Sequence, residues 1–225
     1  MGSAIADLIP LAIGIAVNPI PIMVVVLLLR SPGARANGLT FLGSWLLGLT
    51  FLATVALVTT AAVESIAADR GKTFEAVVKV LLGLLLLILA ARKWGKRPQS
   101  KDEIDLPKWL TTIETLSQGK TLGLGLFISI INPKHIALTV AAMIAIAEAD
   151  VATGTAIALL ILFIALSSTG VGVPVIYSLV GGEQAQARLG AWKEWLSANN
   201  AAILAVLFLV FGVVLLSKGL GDLIG

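Results

Sequence analysis

The sequence predicts an all-α polytopic membrane protein with six transmembrane helices, arranged as two inverted three-helix repeats in which helices 1 and 4 are broken. Three observations predict this fold class. Hydrophobic residues make up 58% of the 225 residues and charged residues 13%, whereas soluble domains have about 45–50% and 25%. Six apolar stretches are long enough to cross a bilayer as helix. An Asn-Pro pair recurs at matching depth in the first and fourth stretches.

The residue content also excludes several classes of protein. Cysteine is absent and there is one histidine, which excludes disulfides, cysteine nucleophiles, multi-histidine metal sites and cysteine-based electron carriers. A membrane-embedded hydrolase needs a nucleophile–base pair or a metal cluster, and the sequence offers neither. We therefore expect a protein that is not an enzyme, with no catalytic residues, no metal site and no cofactor.

The six predicted spans follow one another along the chain. Each approaches or exceeds the roughly 20 apolar residues that a bilayer requires, and none has the strict alternation of a membrane barrel strand. The first is too long for a signal peptide and lacks a basic region before it. The spans are residues 5–29, 38–62, 74–91, 121–147, 154–180 and 201–217.

Lysine and arginine are distributed unequally between the two sides of these spans. Eleven of the 16 lie in the loops after spans 1, 3 and 5, and three lie after spans 2 and 6. Because positive loops stay inside, both termini are expected outside and the basic loop 93–120 in the cytoplasm of a bacterial plasma membrane. Residues 106–116 of that loop place apolar side chains on one face and predict an amphipathic helix on the inner membrane surface.

The two halves of the chain resemble each other. The pair Asn18–Pro19 recurs 114 residues later as Asn132–Pro133, and the same offset aligns Thr54 with Ser168. Since three spans is an odd number, the second copy must cross the membrane in the opposite sense. Many secondary transporters are built in this way, with their substrate sites near the midplane.

The third span of each copy aligns at a slightly larger offset, around Gly83 and Gly212. The repeat therefore covers the whole chain, which we interpret as a single membrane domain. Its parts are repeat one (1–92), the basic loop with its helix (93–120) and repeat two (121–225).

Each Asn-Pro pair predicts a helix break within its span. Proline lacks an N–H and clashes with the carbonyl four residues earlier, and backbone groups freed in a membrane need protein or water as partners. The half-helices after Pro19 and Pro133 would present positive N-termini and free N–H donors, which suit an anion. Pro21 lengthens the first interruption. The alternative is a packing kink that binds no ligand.

Lys134 carries the predicted midplane charge, since it lies 13 residues into span 4, or about 20 Å along a helix. A charge at that depth costs a few kcal/mol. It either binds substrate or bonds to carbonyls at the break and locks the fold, and His135 is open to both interpretations. Because no carboxylate marks the midplane, we expect an anionic or zwitterionic substrate with a carboxylate or phosphate group. The candidate substrate-binding residues are Asn18, Pro19, Pro21, Thr54, Asn132, Pro133, Lys134, His135 and Ser168.

The segment 128–134 resembles the Asn-Pro-Lys motif of the lysine exporter (LysE) superfamily. Within that superfamily the chain is most similar to the GAP family of sulfolipid- or glycolipid-addressing proteins, at residues 18–21, 31–38, 41–45, 109, 123–134 and 212–216. The resemblance implies export across the plasma membrane, of a lipid in the GAP branch and of amino acids or ions in the wider superfamily. The motif positions that it carries over are Asn18, Pro19, Pro21, Asn132, Pro133 and Lys134.

The sequence therefore favours a plasma-membrane transporter that exports or flips a lipid or glycolipid with an anionic head group, by alternating access around a midplane site between spans 1 and 4. Two alternatives stay open: an amino-acid or small-ion exporter of the LysE type, and a non-transporting accessory subunit of a lipid-export machine. The expected partners are membrane lipids and an anionic lipid or carboxylate substrate. A homodimer is left open, and nucleic acid is not expected.

Overall fold

The computed structural model describes residues 2–67, 72–95, 108–149 and 151–224, and within these ranges every regular element is a helix. A short 3₁₀ helix precedes α5, and all the other elements are α-helices. In chain order the elements are α1 (Gly2–Ala16), α2 (Pro19–Leu28), α3 (Ala34–Ala67), α4 (Lys72–Gly95), the 3₁₀ helix (Lys108–Thr115), α5 (Gln118–Ile131), α6 (Pro133–Ala147), α7 (Thr153–Ser167), α8 (Thr169–Val180) and α9 (Gly182–Ile224).

The apolar helices have the length and hydropathy of membrane spans, as expected for an integral membrane protein. Two straight segments qualify alone, Ala34–Thr60 and Ala198–Ile224. Three bent pairs qualify when each pair counts as one span: α1–α2, bent by 49°, α5–α6, bent by 58°, and α7–α8, bent by 61°. The described residues thus contain two to five candidate spans. The predicted third span lies within α4, which is not among these candidates, so the count of six stays a prediction.

The breaks in the first and fourth predicted spans fall at the two Asn-Pro pairs, as the sequence indicates. A third break, between α7 and α8, divides residues 154–180, which the sequence predicts as one continuous span. It falls at Ser168 (φ −90°, ψ −5°), where no proline is present. The Thr169 hydroxyl donates to the Leu166 carbonyl at 2.7 Å there. A hydroxyl that bonds back to its own helix is a known cause of helix bending.

The chain divides into two compact units, and the first contains residues 1–61 and 106–196. In this unit α1 packs against α6 and α7, whereas α2 packs against α8 and the 3₁₀ helix. The second unit contains residues 62–105 and 197–225. The two units do not coincide with the predicted repeats, because each unit takes segments from both halves of the chain. The repeat itself stays a prediction.

Reciprocal glycine–serine contacts join α3 and α5 within the first unit. A Cβ added to Gly48 would collide with the Ser129 hydroxyl, and a Cβ added to Gly125 would collide with the Ser44 hydroxyl. Each serine donates within its own helix, Ser44 to the Phe41 carbonyl at 2.9 Å and Ser129 to Gly125 at 2.8 Å. Small residues permit such close approach of membrane helices. Because the two contacts are each four residues apart, α3 and α5 run parallel here.

Glycines also bring α4 and α9 close together within the second unit. A Cβ on Gly83 would lie 2.7 Å from the backbone nitrogen of Leu216 and 2.9 Å from the carbonyl oxygen of Gly212. A Cβ on Gly212 would lie 2.9 Å from the Leu87 side chain. Gly83 and Gly212 are the two positions at which the sequence aligns spans 3 and 6, so these aligned positions contact each other.

The predicted amphipathic helix 106–116 is a 3₁₀ helix over Lys108–Thr115, and residues 96–107 of the basic loop lie outside the described residues. The Ile113 side chain is buried, and the helix packs against α2. At its end the Asn37 amide donates to the Leu116 carbonyl at 3.4 Å and to the Ser31 hydroxyl at 3.1 Å. The segment is therefore attached to the turn between α2 and α3. Its position on the membrane surface stays a prediction.

Gly170 offers a direct test of the packing around the α7–α8 break. A Cβ there would collide with the Ala16 carbonyl oxygen at the end of α1, so we expect Gly170→Ala to destabilise the protein by about 1–3 kcal/mol. The matched control is Gly172→Ala, whose Cβ would meet only the Leu42 side chain at 4.0 Å. In that variant the usual gain of up to about 1 kcal/mol for alanine in a helix is expected. Thermal unfolding in detergent measures both, and equal midpoints for the two variants would contradict the contact.

Candidate functional site

The two Asn-Pro breaks have the same local geometry. Asn18 precedes α2 with φ −65° and ψ 116°, and its side-chain oxygen accepts from the Ile20 N–H at 3.4 Å. Asn132 precedes α6 with φ −69° and ψ 115°, and its side-chain oxygen accepts from the Lys134 N–H at 3.0 Å. In both, a proline follows as the first helical residue, where its missing N–H costs nothing. Each break is thus a new helix N-terminus closed by an asparagine cap.

A buried hydrogen bond joins the two breaks. The Asn18 side-chain nitrogen lies 3.0 Å from His135 Nε2, and the other ring nitrogen, Nδ1, lies 3.1 Å from the Ile128 carbonyl oxygen. A carbonyl can only accept, so Nδ1 carries the proton and donates to Ile128, whereas Nε2 accepts from the Asn18 amide. His135 is 0% exposed. It is therefore a neutral imidazole held on both sides, in the first turn of α6.

Trp45 of α3 covers the imidazole. Its ring meets His135 edge to face, with centroids 5.2 Å apart and an interplanar angle of 82°, a favoured aromatic geometry. The Phe41 ring lies beside the Trp45 ring, with their centroids 6.4 Å apart. Trp45 is 1% exposed, and its indole N–H has no hydrogen-bond partner among the described residues. An unpaired buried donor costs about 1–3 kcal/mol, which makes this N–H a candidate for contact with a ligand.

Lys134 precedes His135, and its side chain is half-buried. The ammonium nitrogen is buried and has no partner among the described residues. The prediction that Lys134 bonds to carbonyls at the break and locks the fold therefore has no support from this geometry. A lysine placed in the first turn of a helix also opposes the helix dipole. An anion beside the ammonium group would offset both unfavourable terms.

We expect free N–H donors at the N-termini of both half-helices, and this prediction is wrong for α2. Pro19 and Pro21 have no N–H, and the N–H of Ile20 is taken by the Asn18 cap. In α6, Pro133 likewise has none, and the N–H of Lys134 is taken by Asn132. The same residues that break the helices also remove or occupy most of their first-turn donors. What these termini offer an anion is their dipole and the Lys134 side chain.

The electrostatic surroundings of the breaks are positive. The first turns of α2 and α6 meet through the Asn18–His135 bond, so the positive ends of two helix dipoles lie close together, and Lys134 adds its charge in the first turn of α6. The sequences of α2, α5, α6, α7 and α8 contain no aspartate or glutamate. No carboxylate of these helices is therefore present to neutralise the charge.

The remaining predicted site residues differ in their placement. Pro19 and Pro21 are buried in α2, whereas Pro133 is exposed. Ser168 is buried at the α7–α8 break, and its hydroxyl has no partner among the described residues. Gly170, two residues later, lies against the end of α1. This contact places the α7–α8 break next to the α1–α2 break.

Thr54 does not join these residues. It is exposed on α3, and the prediction that it lines an interior cavity is not supported. The buried face of α3 carries Phe41, Trp45, Leu49, Ala53 and Ala56. Thr54 is about 100° around the helix from Ala53 and so lies beside this face rather than on it.

The comparison with protein families gives a match over nearly the whole chain. Residues 8–221 match the family model described as Sap, sulfolipid-1-addressing protein. The chain belongs to the sulfolipid-1-addressing protein family. No curated protein and no solved structure matches it significantly. The family match covers both Asn-Pro breaks and all of the predicted site residues. The wider assignment to the LysE superfamily stays a prediction.

In this member of the sulfolipid-1-addressing family, sequence reasoning missed several buried polar groups. Besides the indole of Trp45, the hydroxyls of Thr139 and Ser167 are buried without partners among the described residues. In the sequence, Trp45 stands out only as part of segment 41–45, which carries the family resemblance. Ser167 stands beside Ser168 in the polar run at the α7–α8 break, and that run was the available signal. Nothing in the sequence around Thr139 distinguishes it from a packing residue.

The Asn18–His135 bond is testable by a double-mutant cycle. Asn18→Ala leaves a buried imidazole nitrogen unpaired, at a cost of about 1–3 kcal/mol, and removes the cap of α2, at about 1 kcal/mol, so we expect a loss of about 2–4 kcal/mol in the free energy of unfolding. In a His135→Leu background the same change should cost only the lost helix cap, about 1 kcal/mol. Unfolding in mixed micelles measures both. Thr54→Ala, at an exposed position, is the control, with an expected change within about 0.5 kcal/mol. Strictly additive effects of the two substitutions would contradict the bond.

Proposed function

We propose that the protein is a plasma-membrane transporter that exports or flips a lipid or glycolipid with an anionic head group. The site lies between the α1–α2 break and the α5–α6 break. These breaks lie within spans 1 and 4 of the predicted topology. Two observations carry the proposal: the first turns of α2 and α6 meet through the Asn18–His135 bond, and Lys134, in the first turn of α6, has a buried ammonium group without a partner among the described residues. In this proposal Lys134 binds the phosphate, sulfate or carboxylate of the head group.

The energetics of the site favour an anion over an empty interior. Even after local adjustments, a charged lysine at the middle of a membrane helix costs about 2.5–3.5 kcal/mol. The two dipole ends add repulsion, since each carries roughly half a positive charge. A single negative group beside Lys134 would attract the ammonium group and the positive helix ends, and so would offset these terms. A dry packing role for Lys134 leaves each of them uncompensated, which is why we prefer binding over a structural lock.

The family description supports a lipid rather than a free amino acid as the cargo. It names addressing of a sulfolipid, whose head group carries the negative charge that the site requires. An amino-acid exporter of the LysE type would also place a carboxylate at Lys134, so the electrostatics alone do not separate the two. For a lipid, the acyl chains must remain in the bilayer while the head group reaches the site.

The internal repeat supports alternating access as the mechanism. The two asparagine caps have closely similar backbone angles, and the aligned glycines Gly83 and Gly212 lie in contact. Inverted repeats allow a transporter to expose one site to either side by rocking of its halves. In the proposed orientation both termini lie outside and the basic loop 93–120 lies in the cytoplasm.

Lys134→Met tests the site in vesicles. The purified chain is reconstituted into phosphatidylcholine liposomes that contain a trace of fluorescent phosphatidylglycerol, and external dithionite reports the lipid that reaches the outer leaflet. We expect the wild type to accelerate the movement of the anionic lipid. Lys134→Met should slow this movement at least about tenfold, which corresponds to about 1.4 kcal/mol of lost interaction. The control is Lys120→Met, at an exposed position in the first turn of α5, which should transport normally.

The same assay separates the alternatives. Equal movement of fluorescent phosphatidylcholine and phosphatidylglycerol would contradict the selection of an anionic head group. Transport of radiolabelled lysine or glutamate without lipid movement would favour the amino-acid exporter. Full lipid transport by Lys134→Met, with its fold retained by circular dichroism, would exclude Lys134 as the ligand. No transport of any probe by the folded wild-type chain would favour the accessory subunit.

A further inference from the structure

His135 is linked to both predicted repeats by hydrogen bonds of fixed direction. On one side its Nδ1–H donates to Ile128, in the half-helix before its own break. On the other side its Nε2 accepts from Asn18, in the break of the first repeat. The ring is fully buried. It is the one histidine of the chain, and histidine is the side chain whose ordinary titration lies nearest to neutral pH.

The Asn18 amide uses both of its ends in this arrangement. Its nitrogen donates to His135 Nε2 at 3.0 Å, while its oxygen accepts from the Ile20 N–H at 3.4 Å and caps α2. Protonation of Nε2 would place two donors, the ring N–H and the amide nitrogen, against each other. Rotating the amide by half a turn restores the hydrogen bond, because its oxygen then accepts from Nε2–H. The rotated amide turns its NH2 group toward the Ile20 N–H, so it no longer accepts from Ile20, and the two donors together can face an anion.

We propose that His135 is the proton-binding residue of the transporter, and that its protonation turns the Asn18 amide and releases the Ile20 N–H as a donor for the head-group anion. A proton from water adds to the Nε2 lone pair, and the ring gains one positive charge. The Asn18 nitrogen-to-Nε2 hydrogen bond is exchanged for one from Nε2–H to the Asn18 oxygen. This step rests on the proposed transport function for its purpose, although the switch can be measured without transport.

Released in this way, the Ile20 N–H becomes a backbone donor in the first turn of α2. In the present structure residues 19–21 offer no such donor, because Pro19 and Pro21 lack one and the cap occupies that of Ile20. A free N–H at a helix N-terminus is a favourable anion contact. The anion then lies between this N–H, the Lys134 ammonium group and the imidazolium. Binding of the proton and of the anion therefore favour each other, reciprocally.

The groups around His135 leave Lys134 as its one close charged neighbour among the described residues. Among the described contacts, α1, α5 and α7 pack against α6, and α3 contributes Trp45. Of these, α7 contains no titratable group. The other charged groups on these elements and at the end of α6 lie more than about two helical turns along the chain from the residues that contact His135. They are Asp7, Arg35, Glu64, Lys120 and Glu148.

The single histidine makes the first measurement unambiguous. Solid-state NMR of the full chain, labelled with ¹⁵N-histidine in phosphatidylcholine bilayers, reports the protonation of each ring nitrogen. At neutral pH we expect Nδ1 to be protonated and Nε2 to be bare, and on acidification we expect both to be protonated. The opposite neutral tautomer would overturn the proposal. A ring that stays neutral down to the pH at which the protein unfolds would also overturn it.

The sequence also allows the Ile20 N–H to be observed almost alone. Of the eight prolines, only Pro19 and Pro21 are followed by isoleucine, so labelling with ¹³C-proline and ¹⁵N-isoleucine selects the amides of Ile20 and Ile22. Ile22→Val assigns the two signals. We expect the Ile20 signal to shift with the same midpoint as the histidine ring, while the Ile22 signal shifts less. An Ile20 signal that does not move as the ring titrates would overturn the switch.

Two variants separate the switch from the transport proposal. His135→Leu should abolish the pH response of the Ile20 signal. In wild type, phosphatidylglycerol added to the bilayer should raise the fraction of protonated ring at a fixed pH, and Lys134→Met should lose this effect while it keeps the Ile20 response. If phosphatidylglycerol has no effect in wild type but the Ile20 response remains, the switch stands and the anionic-lipid site fails. Loss of the Ile20 response in Lys134→Met would contradict a switch that consists of Asn18 and His135 alone.

Discussion

The hydrogen bond between Asn18 and His135 is the contact on which the proposed site depends. It joins two segments that are 117 residues apart in sequence, and each segment is a helix break that would otherwise leave polar groups exposed to an apolar interior. Each partner also makes a second hydrogen bond near its own break. The Asn18 oxygen caps α2, and the His135 Nδ1–H donates to the Ile128 carbonyl. Without this bond, the like dipole ends of α2 and α6 would oppose the approach of their first turns.

This arrangement explains why the Lys134 ammonium group is not needed to hold the two helix breaks together. The caps at Asn18 and Asn132 hold the backbone of both breaks, so Lys134 is not needed to satisfy freed carbonyls, and its ammonium group remains available. Trp45 shields the imidazole from the surroundings. In the proposed site, while His135 is neutral, the asparagines and His135 hold the two breaks in place and Lys134 supplies the positive charge.

The sequence predicts those features whose residues are unusual in a membrane helix and misses those whose residues are common there. The Asn-Pro breaks and the depth of Lys134 are visible because proline and a buried charge are exceptional in a membrane helix. The inward face of α3 is not visible, since lipid-facing and core-facing residues are equally apolar and no hydrophobic period separates them. The sequence therefore does not place Trp45 against His135, and it places Thr54 in the interior by repeat alignment alone. The α7–α8 break was missed because serine, threonine and glycine are equally common in straight packed helices.

The two predicted repeats are alike at their asparagine caps but differ in the residues that follow each cap. The offset of 114 residues that aligns Asn18 with Asn132 aligns Ile20 with Lys134 and Pro21 with His135. Asn18 can therefore bond to a histidine of the other repeat, whereas the symmetry-related contact would place Asn132 against a proline, whose ring offers no side-chain acceptor. If the repeats rock between two related states, this bond belongs to one state and has no counterpart in the other. It favours the present state by about 0.5–1.5 kcal/mol, a bias that a single proton on Nε2 would alter by changing which group donates and which accepts.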